Sequence, residues 1–93
     1  MKRVEVIANQ SVKNEFIEAI EAAIPTIRYS IIPVVHGRGP HDWKLGTTVW
    51  PEENFVWFAY LDDSLAAKTL AVVAELKVQF PREGITIWTT PAE

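Results

Sequence analysis

The sequence contains no cysteine among its 93 residues. This absence excludes a disulfide framework, a thiolate metal site and a cysteine nucleophile, and it fits a cytoplasmic location. An excess of positive charge is also missing, because nine Lys and Arg against twelve Asp and Glu give a net charge of −3. Since a nucleic-acid-binding surface needs basic residues to neutralise phosphates, we expect no nucleic-acid partner.

No apolar run approaches the roughly 18 residues of a membrane-spanning helix, and the short run at residues 4–7 is interrupted by Glu5. We therefore expect neither membrane insertion nor a signal peptide. The length predicts a single domain, residues 1–93. Aromatic residues, in contrast, are abundant: four Trp, four Phe and two Tyr make up 11% of the chain. We expect that so small a core cannot bury all of them within one subunit.

Apolar residues alternate or recur at helical spacing in the order β-α-β-β-α-β. The predicted strands cover residues 3–8, 26–35, 55–61 and 85–90, and the predicted helices cover 12–24 and 64–80. Ser11 and residues 62–64 are the candidate N-caps, and the predicted inner stripe of the second helix includes Leu70. This order is typical of an α+β, ferredoxin-like βαββαβ sandwich, with a four-stranded antiparallel sheet and both helices on one face. The right-handed crossover rule places strands one and three in the middle, and Pro33 favours a sheet edge or a bulge for strand two.

The third strand, residues 55–61, consists of seven consecutive apolar residues. Both faces of this strand are therefore apolar, and the two predicted helices can cover only one face of the sheet. The uncovered set is either Val56, Phe58 and Tyr60 or the alternate residues Phe55, Trp57, Ala59 and Leu61. We expect a homo-oligomer whose uncovered sheet faces pack together. The candidate interface residues on this strand are Phe55, Trp57, Phe58 and Tyr60. The alternative is that the long loop covers the patch or that water tolerates it.

Segment 37–54 joins two adjacent antiparallel strands through eighteen residues, far more than an ordinary hairpin loop. Such long loops are commonly functional, so we expect the function to lie here. Gly37, Arg38 and Gly39 can form an anion-binding nest, with the Arg38 fork on a phosphate or carboxylate. A plain turn is the alternative. Lys44 is a further candidate for cofactor binding.

The same segment holds candidates for metal binding and for protein contacts. His36, His41 and Asp42 bring two imidazoles and a carboxylate within seven residues, a candidate zinc or copper site. Solvent-facing histidines are the alternative. Trp43 and Trp50 are candidate interface residues that stack on a partner or pin the loop to its own subunit. No serine has an evident His–Asp partner, so we expect no enzymatic activity.

The whole chain resembles the PII-like family, small trimeric signalling proteins related to the nitrogen regulatory protein P-II. The resemblance lies in residues 1–7, in residues 16–20 of the first helix and in residues 35–39. The last of these are Val-His-Gly-Arg-Gly, where the family has Val-x-Gly-x-Gly before a long mobile loop, the T-loop. Asp62 and Asp63 are similar to the acidic start of the family's second helix.

This resemblance implies a trimer with ligand sites in the clefts between subunits, and a loop that contacts a target such as a transporter or an enzyme. It also implies that Gly37, Arg38 and Gly39 contact nucleotide phosphate at the base of the loop. The basic, glycine-rich loop that grips ATP in P-II proteins is replaced by Pro-Arg-Glu-Gly-Ile at residues 81–85, which argues against ATP binding in the P-II manner. CutA-like proteins share the trimeric fold and have a link to divalent cations. A CutA-like metal-binding protein that uses the three metal candidates named above is therefore the alternative function.

Overall fold

The structure, a computed structural model, describes residues 1–37 and 52–93. Its helices and strands follow the predicted order. They are β1 (Lys2–Asn9), a 3-10 turn (Gln10–Val12), α1 (Lys13–Ala23), β2 (Ser30–Gly37), β3 (Glu52–Leu61), α2 (Asp63–Gln79) and β4 (Ile85–Pro91).

The four strands form one antiparallel sheet in the order β2-β3-β1-β4. β1 and β3 therefore lie in the middle, as the crossover rule predicts, and the expected α+β, ferredoxin-like fold is confirmed. Pro33 falls within a register shift between Ile32 and Val35, where β2 pairs with β3. This edge position and bulge fit a residue that has no N–H to donate to the ladder.

Two strands begin three or more residues away from their predicted starts. β2 begins at Ser30 rather than at residue 26, because the chain first turns: the Ile27 N–H donates to the Ile24 carbonyl at 3.0 Å. β3 begins at Glu52 rather than at residue 55. The connection between β2 and β3 therefore spans residues 38–51, and its two flanking residues, Gly37 and Glu52, are paired across the sheet.

The hydrophobic core lies between the sheet and the two helices. Its centre is aromatic: Phe16 of α1 packs edge-on against Trp57, with ring centroids 5.3 Å apart, and against Phe55 at 5.8 Å. Tyr29 covers another side of Trp57 at 5.5 Å. Phe55 and Trp57 are both 0% exposed. The prediction that these two residues form a subunit interface is wrong, because α1 covers their side of β3.

The caps of the two helical segments are only partly as predicted. Asn9, rather than Ser11, caps the first: the Asn9 side chain accepts a hydrogen bond from the Ser11 N–H at 2.9 Å. Asp62 caps α2 by accepting from the Leu65 N–H at 2.9 Å. This bond and, to a lesser degree, the hydrogen bond from the Ser64 hydroxyl hold the pKa of Asp62 below its ordinary value.

α2 buries Ala66, Thr69, Val73 and Leu76. Leu70 was expected on the same stripe but is 42% exposed, because it lies about 100° around the helix from Thr69. Within the two described ranges, no helix is long and apolar enough to cross a membrane.

Candidate functional site

The ends of β2 and β3 that flank residues 38–51 lie at one end of the sheet, where the strands terminate. We call this region the loop base, which consists of Gln10, Pro33, His36, Gly37, Glu53 and Asn54. β1 ends at this same end of the sheet, since Asn9 is paired with Asn54. β4 also starts there, and the Asn9 N–H donates to the Gly84 carbonyl at 3.0 Å. The loop base, the 3-10 turn and the turn before β4 are therefore neighbours.

Gln10 connects two strands at the loop base. Its Nε2 donates to the carbonyl oxygen of Pro33 and to that of Asn54, the latter at 3.0 Å. An amide nitrogen carries two N–H groups, so both bonds form at once. Because Pro33 lies in the bulge of β2 and Asn54 lies in β3, one side chain bridges the edge strand and its neighbour.

Gly37 is packed closely against Asn54. A Cβ at residue 37 would lie 3.0 Å from Asn54 Nδ2, so a larger residue would displace that amide. Close approach therefore explains this glycine without any ligand. The predicted anion nest also needs Arg38 and Gly39, which lie outside the described residues, so the nest remains a prediction.

His36 is exposed and lies opposite Glu53. Its Nε2 is 4.0 Å from Glu53 Oε2, and the two side chains are 57% and 63% exposed, an arrangement that contributes little to stability. His41 and Asp42, the other metal candidates, lie outside the described residues. Within residues 1–37 and 52–93, no group of three His, Asp or Glu residues could hold a metal ion.

Three further candidates, Trp43, Lys44 and Trp50, also lie outside the described residues, and their assigned roles stay predictions. Gln10 was not among the predicted site residues, because it lies between the first predicted strand and the first predicted helix, where only Ser11 had a predicted role, as an N-cap. Its position directly after a central strand was a signal, because that position faces the ends of neighbouring antiparallel strands.

The sheet face opposite the helices carries apolar side chains from all four strands. We call this surface the open face, and its apolar members are Ile7, Ile32, Val56, Phe58, Tyr60 and Trp88. Tyr60 is 58% exposed, Trp88 51% and Ile32 45%. Of the two sets that the sequence left open on β3, the one containing Val56, Phe58 and Tyr60 therefore lies on the face that neither helix covers within residues 1–37 and 52–93. Trp88 was missed, although its alternation with Ile87 and Thr89, which lie on the opposite face of β4, was visible in the sequence.

Arg3 lies across the aromatic part of the open face. Its Nη1 donates to the Tyr60 hydroxyl at 2.9 Å and its Nη2 donates to Glu5 Oε1 at 3.0 Å. The guanidinium carbon is 4.5 Å from the centre of the Phe58 ring and 5.5 Å from that of Tyr60. The hydrogen bonds to Glu5 and then to Tyr60 raise the pKa of Arg3, so this residue stays a cation.

No protein-family model matches the sequence, and no curated protein matches it. Solved structures do match. CPII, a nitrogen regulatory PII-like protein from Thiomonas intermedia K12 bound to ADP, AMP and bicarbonate, aligns with a TM-score of 0.72 and 16% identity, over 96% of this chain and 86% of its own. A proposed PII-like signalling protein from Thermus thermophilus aligns with a TM-score of 0.64 and 17% identity, over 96% and 83% of the two chains. The chain has the PII-like fold.

At these identities, the shared feature is the fold, and the predicted resemblance is confirmed at that level. In the PII-like fold of this chain, the loop base and the turn before β4 lie at the same end of the sheet, and the open face lies opposite the helices. Both of these solved structures carry PII-like names, and they give the CutA-like alternative no support.

Proposed function

We propose that the protein is a non-enzymatic, cytoplasmic PII-like regulator. In this proposal three copies assemble, a small ligand binds in the cleft between subunits, and segment 37–54 transmits the bound state to a protein target such as a transporter or an enzyme. The observation that carries the proposal is the open face, combined with a fold that this chain shares with PII-like proteins.

The open face supports assembly because apolar side chains from all four strands lie on it, around Arg3 and Glu5 of β1. Tyr60 and Trp88 each leave more than half of their surface in water, and they lie on strands that flank β1 on its two sides. Soluble monomers rarely expose a contiguous apolar patch of this kind. Three copies around an axis would cover this face on every subunit.

The loop base supports the placement of the ligand site. β2 ends and β3 begins at the same end of the sheet as the turn at residues 81–84, which contributes Arg82 and Glu83 and contacts β1 through Asn9. A ligand at this end of the sheet would contact both segment 37–54 and the strands of the sheet, as a signal-transmitting site requires. CPII is bound to ADP, AMP and bicarbonate, so these anions are the first ligands to test. The mixed charge of residues 82 and 83 predicts weaker phosphate binding than a basic, glycine-rich loop would give.

The first test is the mass of the wild-type chain in solution. Light scattering at micromolar concentration should give about three times the chain mass of 10.5 kDa. A mass of one chain would refute the assembly part of the proposal.

The second test is a thermal-shift panel of ADP, AMP, ATP, bicarbonate, zinc and copper. We expect an anion to raise the melting temperature, and we expect Arg38→Ala to abolish the shift while Lys68→Ala, on the exposed side of α2, leaves it unchanged. No shift with any anion would refute the ligand part of the proposal. A shift with zinc or copper alone that disappears in His36→Ala would replace it with a metal-binding function.

A further inference from the structure

The open face carries a charged pair at its centre, Arg3 and Glu5 of β1. β1 lies between β3 and β4 in the sheet. Glu5 is paired with Phe58 on one side and with Trp88 on the other. Any surface that covers these aromatic neighbours must therefore also cover the two charges.

The pair has hydrogen-bonding groups to spare. A guanidinium has five N–H groups, and the described partners of Arg3 are the Tyr60 hydroxyl and one Glu5 oxygen. On Glu5, only Oε1 is engaged within the described residues. Both side chains are 32% exposed, so water can reach the remaining groups in a single chain. Covering them without new partners is strongly unfavourable.

We propose that Arg3 of one copy pairs with Glu5 of the neighbouring copy, so that these two residues determine which surface the open face accepts. This inference rests on the proposed trimer. A second copy supplies a guanidinium and a carboxylate at the same spacing, two residues apart on one strand. In a cyclic trimer each subunit meets its two neighbours through different parts of its face. The remaining Arg3 N–H groups therefore face one neighbour and the second Glu5 oxygen faces the other, and an uncharged apolar surface is rejected because it leaves these groups without partners.

Charge reversal tests this pairing by native mass spectrometry and light scattering on the full chain. Arg3→Glu and Glu5→Arg each place like charges at every subunit contact. Each should require at least about tenfold more protein than the wild type to assemble. Because the dissociation constant of a trimer scales with the square of the midpoint concentration, this shift corresponds to about 2.8 kcal/mol per trimer. The double variant, with both charges exchanged, should assemble at nearly the wild-type concentration.

Mixing the two single variants separates a pair between chains from a pair within one chain. In a mixed ring of three, two contacts join unlike variants, whereas a ring of either variant alone has none. Mixed trimers should therefore form where neither variant assembles alone. If mixing yields no trimers although the double variant recovers, the pair acts only within its own chain and the inference is wrong.

Matched controls exclude a general effect of charge or folding. Lys2→Glu, on the opposite side of β1, and Glu15→Arg, on exposed α1, carry the same charge changes and should leave the trimer intact. Arg3→Met keeps the aliphatic stem near Phe58 and should weaken assembly less than Arg3→Glu, with unchanged circular dichroism. A monomeric wild type refutes the proposed trimer itself. A trimeric wild type whose single reversals assemble equally well refutes only this inference.

Discussion

Replacement of Gln10 by alanine should loosen the base of the loop while leaving the rest of the sheet intact. The side chain donates to the carbonyls of Pro33 and Asn54, and a typical hydrogen bond contributes about 0.5–1.5 kcal/mol net. The Pro33 bond is exposed, so water replaces part of that contribution. We therefore expect Gln10→Ala to lower the free energy of unfolding by about 1–2 kcal/mol.

Gln10→Glu is a sharper change, because it keeps the shape of the side chain and replaces the donor by an acceptor. At pH 7 the introduced carboxylate would face two carbonyl oxygens, so the loss should exceed that of Gln10→Ala. These oxygens raise the pKa of the introduced carboxyl in the folded state. The extra destabilisation is complete above that raised pKa. The extra destabilisation should decrease as the pH falls through the raised folded-state pKa, and it should be absent below the pKa of the unfolded state, about 4.3.

Two measurements test these expectations. Urea denaturation at a fixed protein concentration gives the global change, and hydrogen exchange gives its location. Peptides covering residues 33–37 and 52–56 should exchange faster, whereas peptides covering 85–91 should not change. Ser11→Ala is the matched control, since the Ser11 contact with Asn9 uses its backbone N–H. If Gln10→Ala behaves like the control, or if both Gln10 variants lose the same stability at every pH, the bridging role is refuted.

Three further substitutions test the core and the cap of α2 by chemical denaturation. Phe16→Ala removes the ring that packs edge-on against Trp57 and should lower the free energy of unfolding by about 3–5 kcal/mol; a loss below about 1 kcal/mol would contradict this packing. Thr69→Val keeps the shape of a fully buried side chain and removes only its bond to the Leu65 carbonyl, so we expect a change smaller than about 1 kcal/mol in either direction. Asp62→Ala should destabilise the protein at pH 7. Because the folded-state pKa of Asp62 is lowered, this contribution is present above the unfolded value of about 3.9 and lost as the pH falls through the folded value. An Asp62→Ala variant that is as stable as the wild type at pH 7 would refute the capping role.

The order of the strands and helices could be predicted because it depends on local patterns. Alternation along residues 55–61 separates two sets of side chains, but it does not say which set meets the helices. That choice depends on Phe16, which is distant in sequence and packs against Phe55 and Trp57. Trp57 was therefore wrongly assigned to an interface, while Tyr60 is exposed and its interface role stays a prediction.

The candidate site was harder to predict, because its contacts join distant segments. Gln10 reaches Pro33 only because a bulge displaces β2, and it reaches Asn54 only because β3 begins earlier than its apolar run indicates. Arg3 belongs to the open face through its position opposite Tyr60. Composition and spacing carry no information about either arrangement. Strand register does carry it.

The bulge at Pro33 also has a consequence for the behaviour of the protein at high concentration. An unpaired edge strand can template pairing with another chain and so start aggregation. β2 is one edge of this sheet, and Pro33 interrupts its ladder, while Pro91 closes β4 at the other edge. Because proline donates no backbone hydrogen bond, the β2 edge is interrupted in its middle and is a poor template for a fifth strand, whereas the β4 edge is limited only at its last residue. The same sheet that exposes apolar side chains on one face thus has one edge, β2, that disfavours the strand pairing through which fibres grow.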